Sequence, residues 1–126
     1  IPHFKEQKSG KIAVISSVAS FRGLAHHSAY SGSKAAVRNI SQGWGIALHK
    51  YGISVTAVCP GFIKSEMTAK NDFPMPFLMD TDLAADQIIQ AVNKKKKVFI
   101  FPWQWKVFMV PIMKYAPDWI VRKLGM

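Results

Sequence analysis

The chain has 126 residues, 49% of them hydrophobic and 19% charged, a globular composition with room for about one domain that excludes intrinsic disorder. Its formal net charge is +10, and residues 94–126 hold eight Lys/Arg against one acid, Asp118, which admits an anionic partner (nucleic acid, lipid or cofactor) or a solvated surface whose acidic partner lies elsewhere. The single cysteine, Cys59, excludes an intrachain disulfide and suits a buried thiol in a reducing, cytoplasmic setting.

The chain opens on Ile1-Pro2-His3-Phe4, without a Met, a basic n-region or an apolar h-region. No signal peptide is visible, and the sequence reads as starting inside a larger gene product. Residues 1–10 read as the frayed end of a helix and a turn at Ser9-Gly10. Lys11 to Ser17 is a short β-branched run, expected to be a strand buried on both faces, as in parallel sheets. Val18 to His27 is a loop.

From Ser28 to about Tyr51 a helix is expected, because Ala29, Ala36, Val37, Ile40, Trp44 and Ala47 recur at three- and four-residue steps. Its many Ala, Ser and Gly residues call for a close neighbour, and Gly52 suits a C-terminal stop. Ile53 to Cys59 is a second strand, ended by Pro60-Gly61. Residues 62–80 are irregular. Thr81 is placed to cap a third helix, with Lys94 to Lys97 at its end where cations suit the helix dipole. Val98 to Phe101 is a third strand, closed by Pro102. Strand, helix, strand, helix, strand is the order of an α/β fold with a parallel sheet.

Residues 103–126 form a separate aromatic, basic tail. Pro111 and Pro117 are expected to divide it, and it has no uninterrupted apolar stretch of about 20 residues to span a bilayer. It could line an apolar pocket, pack at a subunit interface, lie on a membrane surface, or be buried against the rest of the protein. Its aromatics favour a membrane over DNA, so no nucleic acid is expected.

The chemistry lies earlier. Tyr30 and Lys34 are four apart at the start of a helix and share a face. An ammonium beside a phenol favours the phenolate, which suits a tyrosine to acid/base work. Ser17 ends the strand that feeds this helix, and ligand sites in open α/β sheets lie beyond the carboxyl ends of strands. Ser17, Tyr30 and the Pro60-Gly61 turn should therefore converge on one edge. Two hydroxyl donors facing one spot could hold a carbonyl oxygen and stabilise the charge it gains on reduction. A Tyr and a Lys on one face are also, more commonly, plain packing. His26 and His27 in the loop are too few for a metal site, and none is expected.

Three segments carry a resemblance: Gly10-Lys11-Ile12-Ala13-Val14-Ile15-Ser16-Ser17, Tyr30-Ser31-Gly32-Ser33-Lys34, and Val58-Cys59-Pro60-Gly61 with Ser65. Tyr-x-x-x-Lys alone is weak. With the Ser-Ser strand end thirteen residues upstream and the Pro-Gly turn thirty residues downstream, residues 1–102 resemble the C-terminal half of a short-chain dehydrogenase/reductase. The resemblance implies half of a Rossmann-like, doubly wound parallel sheet and an oxidoreductase using NAD or NADP on a ketone or secondary alcohol. It implies Tyr30 as proton donor or acceptor, Lys34 on the nicotinamide ribose and Ser17 polarising the carbonyl. It sets Pro60, Gly61, Ile63 and Ser65 against the nicotinamide, and Phe62 and Met67 in an apolar substrate loop. Ser16 is structural, and Ser65 replaces a frequent Thr.

The resemblance also implies a homodimer or homotetramer through the Ser28–Tyr51 helix. Departures are as informative. No Gly-x-x-x-Gly-x-Gly phosphate loop occurs, nor the family's Asn-Asn-Ala-Gly strand end or its catalytic Asn. The N-terminal half of the same protein is the expected partner, without which a half-sheet would leave an apolar edge unpaired and not fold stably. Alternatives are a non-catalytic Rossmann-like binding protein and a basic peripheral membrane protein.

Overall fold

The computed structural model describes residues 1–61 and 78–124. Helix α1 (Pro2–Gln7) leads into strand β1 (Gly10–Ile15). A single 3₁₀ turn (Val18–Phe21) and a loop follow, then the long helix α2 (Ser28–Leu48), strand β2 (Ile53–Pro60), helix α3 (Thr81–Asn93) and strand β3 (Val98–Phe101). The tail forms a wide π-type turn (Trp105–Met109), helix α4 (Val110–Tyr115) and helix α5 (Asp118–Leu124).

The strands form a parallel sheet in the order β1-β2-β3. Ile15 lies opposite Val58, and Pro60 opposite Phe101. The central strand is apolar and buried nearly throughout, as expected of a strand with helices on both faces. Alternation along β2 divides its side chains between them. Ile53 and Val55 meet Leu48 of α2, and Val58 meets Ala84 of α3 together with Phe101 and Met79. Each such side chain taken wholly out of water stabilises the fold by about 1.5–3 kcal/mol.

β1 differs from the strand read in the sequence. It ends at Ile15 rather than Ser17, and its residues are half-buried on one face and exposed on the other. Ile12 and Val14 pack beside Leu48 and Val55, whereas Ala13 and Ile15 are exposed. Helix α3 lies with β2 and β3 in the other core cluster and reaches that face of β1 at its start, where Lys11 Nζ donates to Asn93 Oδ1 (3.3 Å).

Helix α2 closes where Gly52 suggested. Its last turn tightens to 3₁₀ at His49–Tyr51, and Gly52 adopts φ 74°. A Cβ there would stand 2.3 Å from the Lys8 carbonyl oxygen, so both the conformation and the contact require glycine. Of the recurring apolar positions of α2, Ile40 and Trp44 are 52% and 45% exposed and Val37 is half-buried. The buried positions are Ser31, Ser41 and Leu48, with Lys34 and Arg38 half-buried between them. This inward polar face is hydrogen-bonded: Ser41 Oγ donates to the Arg38 carbonyl (2.8 Å), and Arg38 Nε to Ser20 Oγ (2.9 Å). Buried polar groups paired in this way do not incur the penalty of unmet ones.

Two further details differ from expectation. Asp80, not Thr81, precedes the first turn of α3, and Thr81 is its first helical residue. Pro111 does not divide the tail. It has no N–H to give, and the widened turn before it, with Val110 N–H donating to the Trp105 carbonyl, carries the helix through. Pro117 does end α4, with Ala116 extended before it. No described helix is long and apolar enough to cross a membrane.

Candidate active site

The carboxyl end of β1 organises the site. Ser16 N–H donates to the Val58 carbonyl (2.7 Å), extending the ladder one residue beyond the strand. Ser16 Oγ then donates to the Lys34 carbonyl (2.8 Å), tying the strand end to the second turn of α2. Ser17 is next, nearly buried, with extended backbone. Its Oγ accepts the Ala19 N–H (3.1 Å) and so caps the 3₁₀ turn. A serine hydroxyl in that role still carries one hydrogen to donate.

Tyr30 and Lys34 occupy the first two turns of α2. The Lys34 ammonium lies 5.8 Å from the centroid of the Tyr30 ring and donates to the Ile15 carbonyl (3.3 Å). The cation is therefore held between the strand end and the phenol. Tyr30 is 49% exposed, half-open to whatever occupies this edge. A backbone bond from Ser31 N–H to the His27 carbonyl and a side-chain bond from Ser33 Oγ to the Tyr30 carbonyl fix the helix start. His26 (φ 65°) and His27 are exposed in the loop just before it.

On the β2 side, Pro60 is half-buried and Gly61 N–H donates to the Phe101 carbonyl (2.8 Å). A Cβ on Gly61 would stand 2.5 Å from Nε1 and 2.6 Å from Cδ1 of Trp105, so glycine here permits close approach of an indole from the tail. Phe62, Ile63, Ser65 and Met67 lie outside the described residues. Cys59, between the two halves of the site, is fully buried, and burial pushes its thiol up from the ordinary value against the weaker opposing pull of Arg38 and of hydrogen bonds with Ser16, Ser20 and Ser17. That disfavours the reactive thiolate.

Two residues at this edge escaped sequence reasoning. Trp105 packs with Val18, Val110 and Met113 in one buried cluster. Arg22 donates to the Met113 (3.0 Å) and Ala116 (2.6 Å) carbonyls and pairs with Asp118. The 105–109/110–113 spacing of a buried stripe was a signal for Trp105. None existed for Arg22, whose partners lie 91 to 96 positions along the chain.

Comparison with known proteins places this geometry. The family described as short chain dehydrogenase matches residues 1–74. An uncharacterized oxidoreductase of Myxococcus xanthus is 43% identical over 107 residues, covering 85% of this chain and 42% of that protein. One from Mycobacterium tuberculosis is 30% identical over 123 residues, covering 97% and 48%. Among solved structures, a short-chain dehydrogenase from Sphingobium yanoikuyae in complex with NADPH superposes with a TM-score of 0.69 at 26% identity, covering 98% of this chain and 46% of that one. One from Streptomyces avermitilis gives 0.71 at 22%, covering 98% and 52%. The chain thus spans about half the length of the relatives it matches.

Proposed function

Because this chain belongs to the short-chain dehydrogenase/reductase family, we propose that the complete protein is an NAD(P)-dependent oxidoreductase acting on a ketone or secondary alcohol. The observation that carries this reading is the Lys34 ammonium held between the Tyr30 ring and the carbonyl of Ile15, the residue two before Ser17 in the chain. An ammonium and a phenol side by side suit the diol and developing charge at the nicotinamide-ribose end of such a cofactor. Such a cofactor, held by Tyr30 and Lys34, would supply or accept the hydride exchanged with the carbinol carbon.

The chain's own residues do the rest. Ser17 donates its hydroxyl hydrogen to the carbonyl oxygen and orients it. Tyr30 delivers a proton to that oxygen on reduction, or removes it from the alcohol on oxidation. Lys34 stabilises the phenolate left on Tyr30 and hydrogen-bonds the ribose. Pro60 and Gly61 border the nicotinamide, continued by Ile63 and Ser65, while Phe62 and Met67 make an apolar substrate contact. The relatives are about twice as long, so the same reading assigns the phosphate-binding loop to an N-terminal half that adds strands along the open edge of β1. The outward-facing Ile40 and Trp44 of α2, four apart on one face, are assigned to a second copy of the protein.

A second reading has an observation of its own. The outer face of the tail carries exposed Trp103, Tyr115 and Trp119 among Lys106, Lys114, Arg122 and Lys123, a pattern suited to the surface of an anionic membrane. The test of the main reading is NADH and NADPH oxidation by the complete protein with a panel of apolar ketones. Turnover with either cofactor supports it; cofactor binding without turnover of any carbonyl or alcohol favours a non-catalytic binding protein.

A further inference from the structure

Arg22 stands where two parts of the molecule meet. It follows the 3₁₀ turn that Ser17 caps, and its carbonyl accepts from Ser31 Oγ (2.5 Å), one residue beyond Tyr30. Its backbone is thus fixed to the helix that bears the phenol. Its side chain reaches the other way, and one guanidinium, 19% exposed, meets three groups of the tail. Nη1 donates to the carbonyls of Met113 and Ala116, which Pro117 leaves without partners further along a helix. Nη2 pairs with Asp118, in the first turn of α5. Only a planar fork of donors serves three acceptors so arranged; a lysine ammonium does not reproduce it.

The clamped segment begins with Trp105. Its indole is 6% exposed, rests in one cluster with Val18, and touches the α-carbon side of Gly61. One buried ring therefore spans from the turn after Ser17 to the turn that ends β2. Phe21, beside Arg22, adds to the seal: the Arg38 guanidinium lies 4.3 Å from its ring and the Lys114 ammonium 5.9 Å.

We propose that Arg22 is a positioning residue that clamps the 105–118 segment against the turns that follow β1 and β2, making Trp105 a fixed, specificity-determining wall that limits the bulk of the carbonyl substrate. This rests on the oxidoreductase reading above. Losing the clamp frees the wall. Weakened substrate binding and relaxed size selection follow, while the Lys34–Tyr30 pair and its cofactor contact stay intact.

The experiment uses the complete protein with Arg22→Leu, Arg22→Ala, Arg22→Lys and Trp105→Leu. Arg22→Leu should raise KM for a small ketone about tenfold, with NAD(P)H affinity by fluorescence titration held within about twofold. Arg22→Lys should fall between. Millimolar guanidinium should restore part of the Arg22→Ala loss and leave the wild type unaffected. Trp105→Leu should shift the ratio of kcat/KM for bulky over small ketones by about tenfold. If Arg22→Leu does not fold, Asp118→Asn, at an exposed site that removes one of three acceptors, should raise KM about two- to fivefold. A folded Arg22→Leu with wild-type KM and wild-type size selection overturns the proposal. Should the wild type turn over no carbonyl at all, the oxidoreductase reading fails on its own. The clamp is then judged by trypsin: Arg22→Leu should be cut at the exposed Lys106 and Lys114 about tenfold faster, and equal cutting refutes it.

Discussion

Replacing Gly61 with alanine probes the contact between the site and the tail. The added methyl would lie 2.5, 2.6 and 3.0 Å from three atoms of the Trp105 ring, about an ångström inside ordinary contact. The ring is buried among Val18, Val110 and Met113 and cannot swing away as a flexible chain end would. Overpacking of this kind costs about 1–3 kcal/mol. Alanine also stiffens the unfolded chain, which returns about 0.4–1 kcal/mol. A net destabilisation of about 1–2 kcal/mol is expected, read as a lower urea midpoint at unchanged slope. The double variant Gly61→Ala/Trp105→Leu isolates the cause, because the leucine vacates the space the methyl needs. It should be more stable than the sum of the single variants predicts, by about 1 kcal/mol. Additive effects, or an unchanged midpoint for Gly61→Ala, would refute the claim that the indole sits against this turn.

Three further outcomes follow from the same structure. Burial raises the Cys59 thiol, so the unfolded chain loses that proton first as pH rises; stability should decline above about pH 8.5, by at most about 1.4 kcal/mol per pH unit. Urea titrations from pH 7 to 10 should show that decline in the wild type and less of it in Cys59→Ala, and an identical slope in both would contradict it. Replacing both Ile40 and Trp44 with Glu should lower the oligomeric state in analytical ultracentrifugation without unfolding the protein, since both side chains face outward; an unchanged assembly removes α2 as the contact. Sedimentation with phosphatidylserine vesicles should retain the protein at low salt and release it at high salt, and retention undiminished in Trp103→Ala/Trp119→Ala would rule out the tail face.

Much of the fold could be read from local pattern. The three strands, α2 and α3 follow from β-branched runs, small-residue helix composition and the stops at Gly52 and Pro60-Gly61. The placement of Lys34 at the end of β1 follows from the Tyr-Lys spacing and from where a helix begins after a parallel strand. What local pattern hides is orientation. The three- and four-residue steps of Ala29, Ala36, Val37, Ile40, Trp44 and Ala47 call for a helix without saying which side meets the sheet; Ser31, Lys34, Arg38 and Ser41 face inward, because hydrogen bonds rather than an apolar seam join this helix to the strand end. The partners of Arg22 were invisible for a similar reason: contacts between positions more than ninety apart leave no mark on any window of the chain. Ile63 and Ser65 lie outside the described residues, so that side of the site rests on resemblance.

Tyr30 is the proposed proton-transfer group, and its most direct test is the kinetics of Tyr30→Phe in the complete protein. Phenylalanine keeps the ring beside Lys34 and removes only the hydroxyl. The predicted result is a fall in kcat of about 10²–10⁴, with NAD(P)H binding nearly intact. A Tyr30→Phe protein that turns over at the wild-type rate would contradict the assignment.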